Sequence, residues 1–141
     1  MRKLINKRED YYNKNAVYIA KNSSFVAVQN ENIRSWKHNK YLSHGIQLNA
    51  PRSFLDKLER KCEDNDVEFV KVPRNFPSTQ ICSKCKKRNK KISELGNLKI
   101  REWDCPHCPT HHNRDQNAAK NILCKGLENR RDDGAVKILQ N

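Results

Sequence analysis

Apolar residues are scarce in this chain. They make up 35% of its 141 residues, which allows one domain, or one domain carrying a small insert, around a modest core. No stretch reaches the ~18 consecutive apolar residues of a membrane-spanning helix. The opening stretch MRKLINKREDYYNK lacks the apolar segment of a secretory signal. These absences predict a cytoplasmic protein with no membrane partner, in a reducing compartment where its six cysteines do not form disulfides. Acidic residues are also in deficit, with 16 Asp and Glu against 29 Lys and Arg, a net charge of +13. That imbalance points to a polyanionic partner, nucleic acid ahead of an anionic membrane surface. No internal repeat is present beyond two paired cysteine knuckles.

What is there reads as a mixed α/β chain. Leu4, Ile5, Tyr11, Tyr12, Ala16, Ile19 and Ala20 recur at helical spacing and predict a helix over 2–21, ended by Asn22-Ser23-Ser24. Phe25-Val26-Ala27-Val28 is a short unbroken apolar run, the pattern of a buried strand. Residues 33–49 are basic and irregular, a loop or weak helix around Trp36. Pro51 suits a first helical turn, and Phe54, Leu55, Leu58 and Cys62 form its apolar stripe to about residue 64. Residues 67–72 alternate as a second strand, closed by Pro73. Strand, helix, strand is a βαβ unit, expected to pair parallel with a right-handed crossover. A last helix is expected over 115–130, with Ala118, Ala119, Ile122, Leu123 and Leu127 on one face, and then a frayed tail. The implied division is 1–75, an insert over 76–112, the last helix within 113–131, and a flexible tail over 132–141.

The insert carries the strongest chemical signal. Cys82 and Cys85, nineteen intervening residues, then Cys105 and Cys108 match four-cysteine zinc spacing. Two residues between cysteines let a tight turn aim both sulfurs at one point, and two such knuckles make a closed tetrahedral thiolate shell. A closed shell leaves no position for water, so the Zn2+ would be structural. So small a unit buries too little apolar surface to fold alone, and metal binding would drive its folding. The weighed alternatives are a redox dithiol pair and an iron site. The arm between the knuckles predicts a hairpin around Leu95-Gly96-Asn97, returning through residues 99–103. Cys62 and Cys124 read as buried small hydrophobes, and His107 as solvent-facing. Lys84, Lys86, Lys87, Arg88, Lys90, Lys91, Lys99 and Arg101 crowd onto this insert. Phosphate contacts there would position nucleic acid without reading its sequence. Two carboxylates also stand out. Glu31 follows the first strand, at the strand end where open α/β sheets bind ligands. Asp115 opens the last helix, where an aspartate is also a routine cap.

Several segments together resemble TnpB-type (OrfB) transposon-associated proteins. They are Asn6-x-Arg8-x-Asp10 with Lys14, Phe25 to Ile33, Val70 through Cys82, and His111-His112-Asn113-Arg114-Asp115-Gln116-Asn117-Ala118-Ala119 onward to Ile122. The ribbon followed by Arg-Asp-x-Asn-Ala-Ala is the specific part. The resemblance implies an RNA-guided DNA endonuclease with an RNase H-like (RuvC) fold, interrupted by a zinc ribbon. It implies catalytic roles for Glu31 and Asp115, the second and third carboxylates of a Mg2+ site that hydrolyses phosphodiesters by a two-metal mechanism. DNA and a guide RNA are the implied partners.

The sequence departs from that family in three places. Gln29 occupies the position directly after the strand where an acid is usual, and Glu31 follows two residues later; alternation along a strand puts both on one face. Lys86 and Pro109 stand where glycine often supplies a left-handed turn. The family's first catalytic aspartate, on an earlier strand, has no counterpart here. The expectation is therefore a C-terminal part of such an enzyme, inactive alone and completed by a second chain pairing with its exposed strand edge. The competing reading is a non-catalytic zinc-ribbon module that binds nucleic acid; a decayed reading frame fits the same residues.

Overall fold

The computed structural model describes residues 2–31, 50–91 and 100–139. The irregular segment 33–49 and the hairpin expected around Leu95 lie outside the described residues. The chain divides into two compact units, Met1–Val26 with Asn30–Val70, and Ala27–Gln29 with Lys71–Asn141.

The first unit is built on two helices, α1 (Arg2–Lys21) and α2 (Pro51–Asp64). They meet through Ala16 and Ala20 of α1 and Leu58 and Cys62 of α2, all buried. The small alanines sit four apart, on one face, and let the backbones approach. The rings of Tyr12 and Phe54 lie 5.3 Å apart, tilted by 58°. Leu4, Ile5 and Tyr11, expected on the same buried stripe, are instead exposed. The contact with α2 runs along Tyr12 and the alanines rather than along Leu4, Ile5 and Tyr11. Glu9 lies at the edge of the interface. Its carboxylate accepts from Arg8 at 2.9 Å, Lys57 at 3.1 Å and Ser53 Oγ at 3.2 Å. The Arg8 and Lys57 hydrogen bonds hold its carboxyl below the ordinary range.

Caps fix the helix ends. Asn22 ends α1, its side-chain Nδ2 donating to the Tyr18 carbonyl at 2.8 Å. Pro51 sits in the first turn of α2, where its missing N–H costs nothing. At the other end Asp66 adopts φ 55°. Val67 N–H donates to the Cys62 carbonyl at 2.9 Å and Asp66 N–H to the Glu63 carbonyl at 3.2 Å. That is a Schellman closure, with an aspartate in the left-handed place glycine usually takes.

Strand β1 (Phe25–Gln29) and strand β2 (Glu68–Val72) pair in a two-stranded sheet. The order strand, helix, strand matches the sequence-based expectation. The predicted buried strand is half-buried along its whole length: among the described residues, one partner strand covers one of its edges.

The second unit centres on the cysteines. β3 (Glu102–Asp104) and β4 (His111–Asn113) pair antiparallel, with Trp103 opposite His112. A single bridge joins Ile81 to Arg88 across the first knuckle. The buried core is Cys82, Trp103 and Cys105, with Cys85, Ile100 and Cys108 packed against them. Four of these six residues are the predicted metal ligands. Helix α3 (Arg114–Leu139) follows β4 without a loop. It runs past the end predicted near residue 130. No proline follows Pro109, and an interior glycine such as Gly134 costs a helix only about 1 kcal/mol. Its buried face also differs from the predicted one: Asn117 and Asn121 are buried, while Leu123 and Leu127 are exposed.

Candidate metal centre and carboxylates

Each knuckle closes by backbone hydrogen bonds. In the first, Lys86 N–H donates to the Cys82 carbonyl at 2.9 Å and Cys82 N–H to the Lys87 carbonyl at 3.0 Å. Lys86 has φ 63°, so the position after Cys85 does require a left-handed residue, and lysine occupies it. In the second, Cys105 N–H donates to the Thr110 carbonyl at 3.0 Å and Thr110 N–H to the Cys108 carbonyl at 2.8 Å. Pro109 is not among the positive-φ residues. That knuckle closes instead with a three-residue turn centred on Pro109, Thr110 N–H to the Cys108 carbonyl, which needs no positive φ, and the absence of glycine does not prevent closure.

The two turns bring four sulfurs together. All lie within 4.8 Å of one another. Cys82 and Cys108 sulfurs are 3.7 Å apart, and those of Cys85 and Cys105 are 3.6 Å apart. A tetrahedral ion with Zn–S of about 2.3 Å requires sulfur–sulfur edges of about 3.8 Å. The spacing therefore suits a metal such as zinc, and is too long for a disulfide. Cys85 N–H points at Cys82 Sγ and His107 N–H at Cys105 Sγ, each at 3.4 Å. Burial pushes the Cys82 thiol up to about 11. The hydrogen bond with Thr110, whose Oγ1 lies 3.3 Å away, lowers Cys108 to about 7. His112, buried on β4, brings Nε2 to 3.0 Å from Cys82 Sγ.

Helix α3 clamps the first knuckle. Asn117 Oδ1 accepts from Ser83 N–H at 2.8 Å, and its Nδ2 donates to the Ile81 carbonyl at 2.7 Å. Asn121, one turn on, donates to the carbonyls of Ser78 at 2.9 Å and Ile81 at 2.6 Å. The Asn-Ala-Ala-x-x motif thus supplies two asparagines four apart that tie the cysteine turn to the helix. Gln29 plays a similar part. It donates to the carbonyls of Arg74 and Phe76 and accepts from Ser78 Oγ at 2.7 Å. Gln29, at the end of β1, is a structural latch onto residues 74–78.

The group of converging ligands contains neither acidic candidate. Glu31 is exposed just beyond β1 and belongs to the first unit; Asp115 belongs to the second. Asp115 is not the cap of α3. Asn113 Oδ1 accepts from the N–H groups of Asp115 and Gln116, both at 3.2 Å. The Asp115 carboxylate is 75% exposed and lies 3.8 Å from the Arg101 guanidinium. Cys124, expected to be buried, is exposed, with Lys86 Nζ 3.6 Å from its sulfur.

The profile of the family described as Cas12f1-like, TNB domain, matches residues 52–122, just over half of the 141. The chain belongs to this family. As a Cas12f1-like TNB-domain chain, it is 31% identical over 125 residues to the "Putative RNA-guided DNA endonuclease" of Streptomyces pristinaespiralis, covering 89% of this chain and 30% of that protein. It is 29% identical to TnpB-like protein L79 of Acanthamoeba polyphaga mimivirus, covering 90% of this chain and 24% of that one. These relatives agree with the TnpB resemblance read from the sequence. Its fold is similar to that in the cryo-EM structure of a Cas12f1–sgRNA–target DNA complex, with TM-score 0.60, 26% identity, and cover of 86% of this chain and 34% of that one. The chain thus spans about a third or less of the length of each.

Within the TNB-domain match, sequence reasoning missed His112, Asn117 and Asn121. The asparagines carried a signal, an i, i+4 polar pair inside an otherwise apolar helix stretch. His112 carried almost none, because a three-residue strand is too short to show alternation.

Proposed function

We propose that this chain is the metal-stapled, nucleic-acid-binding part of an RNA-guided DNA endonuclease. The observation that best supports it is the convergence of four thiols within 4.8 Å beside the exposed side chains of Lys84, Lys86, Lys87, Arg88, Lys90 and Lys91. In this reading Cys82, Cys85, Cys105 and Cys108 hold a structural Zn2+. The ribbon over 76–112 presents its basic residues to phosphates of target DNA or guide RNA. Residues 1–75 and 113–131 belong to a RuvC-like nuclease fold, to which Glu31 and Asp115 contribute two of three carboxylates. Among the described residues, the four cysteines form the one group of three or more potential ligands that converge. A Mg2+ site therefore needs a residue from beyond those described, such as one from a second chain.

A second reading, a non-catalytic binding module, is favoured by one contact. The Asp115 carboxylate lies 3.8 Å from the Arg101 guanidinium, and a cation bound there would sit beside that positive charge. One experiment separates the two. The purified chain is mixed with supercoiled plasmid DNA and magnesium, with and without prior zinc chelation. The first reading expects binding that chelation abolishes, and nicking that appears only when a chain carrying the missing acid is added and vanishes with Asp115→Ala. Binding with no nicking under any complementation would leave the second. Undiminished binding after complete removal of zinc would overturn both.

A further inference from the structure

We propose that His112 is a positioning residue of the metal centre, its Nε2–H donating a hydrogen bond to the Cys82 thiolate. The inference rests on the reading of the four thiols as a metal site, and goes beyond it by assigning a fifth residue that is not a ligand.

The geometry carries the assignment. His112 Nε2 lies 3.0 Å from Cys82 Sγ, closer than either backbone N–H that points at a cysteine sulfur. The imidazole is 5% exposed and Cys82 is fully buried, so water does not compete for the bond. The ring is held from two directions. Trp103 packs against it with centroids 4.6 Å apart and stands opposite it in the β3–β4 register. Beyond β4 the chain enters α3 directly, and Asn117 and Asn121 of that helix hold the Ile81 carbonyl, the residue before Cys82. Donor and acceptor are therefore tied to the same helix, one through sequence and the other through two hydrogen bonds.

The chemistry explains the need. Four thiolates around a divalent ion leave a net charge of about −2 in a closed shell. Uncompensated charge costs most at the most buried sulfur, which here is Cys82. A neutral imidazole protonated at Nε2 donates without adding charge. A nitrogen that carries a proton cannot ligate, so the shell stays four-sulfur. Outer partners of this kind commonly tune metal affinity by about 10–100-fold.

The test uses the full chain carrying labelled histidine and an NMR-active cadmium isotope in place of zinc. The expected spectrum shows the His112 proton on Nε2, with a coupling to cadmium transmitted through the N–H···S bond. Zinc affinity is measured in parallel by competition with a chromophoric chelator. His112→Phe keeps a ring against Trp103 but has no donor, and should bind zinc about 10-fold more weakly or worse. His112→Gln, whose amide N–H reaches about the same point, should retain most of the affinity. A proton on Nδ1 alone, a direct cadmium–nitrogen coupling, or unchanged affinity in His112→Phe would each overturn the assignment. If the Phe variant fails to fold, the wild-type spectrum decides. Elemental analysis separates the two levels: absence of stoichiometric metal defeats the metal reading and this inference together, while bound metal without the coupling defeats this inference alone.

Discussion

Asn117 is 1% exposed, yet it is polar and sits on the face of α3 that should be apolar. Its carboxamide matches one donor and one acceptor of the cysteine turn, Ser83 N–H and the Ile81 carbonyl. Asn117→Ala removes both bonds and strands the Ser83 amide. A buried donor left without a partner costs about 1–3 kcal/mol, so we expect metal-loaded protein to lose about that much in urea denaturation. Exposed Gln116 should tolerate the same change within about 0.5 kcal/mol. An Asn117→Ala midpoint matching wild type would show that the clamp carries no stability. The sequence reads differently at this scale because polarity on a helix ordinarily signals solvent; only the i, i+4 repeat of Asn117 and Asn121 hinted otherwise. Lys86 is the opposite case. The need for a left-handed residue after Cys85 was implied by the resemblance to a family whose members often carry glycine there, and φ 63° meets it despite a Cβ penalty of about 1–2 kcal/mol.

At the scale of elements, the two units depend on different forces. α1 and α2 pack through Ala16, Ala20, Leu58 and Cys62, ordinary apolar burial with a Schellman end. The knuckles, β3 and β4 have a core made largely of the cysteines themselves, and strands of three residues have little stability of their own. Metal removal should therefore act unevenly. In hydrogen exchange, stripping zinc with a strong chelator should abolish amide protection at Cys85, Lys86 and Thr110, and leave the amides of α2 near Leu58 unchanged. Equal loss in α2 would mean that the helices rely on the ribbon. This division explains what was legible. Helices with strong periodicity, α1 and α2, and the strands beside them were placed within a residue or two. The ribbon's cysteine spacing was readable because it is covalent geometry. The stripe of α1 was only partly right, because helical spacing identifies a face but not which part of it a partner covers. Leu4 and Tyr11 remain exposed for that reason.

At the scale of the whole molecule, the net charge of +13 governs how the chain meets a polyanion. Six basic residues of the first knuckle and its extension are exposed, Lys84, Lys86, Lys87, Arg88, Lys90 and Lys91. They lie on or just after a knuckle closed by its own backbone hydrogen bonds, so contacting phosphates costs little further ordering. Each phosphate neutralised on duplex DNA releases counterions and adds about −0.9 to the slope of log K against log salt. If all six engage, the slope should approach about −5. Replacing Lys84, Lys87 and Lys90 with glutamine should flatten it by about 3, and should weaken binding alike for unrelated duplex sequences, because phosphate contacts position without specifying. The measurement is a fluorescence-anisotropy titration across a salt series, run on zinc-loaded wild type and the triple variant. A slope unchanged by the three substitutions would place the contact surface elsewhere on this positively charged chain. Weakening confined to one duplex sequence would mean that these lysines reach base edges, and the ribbon would then read sequence.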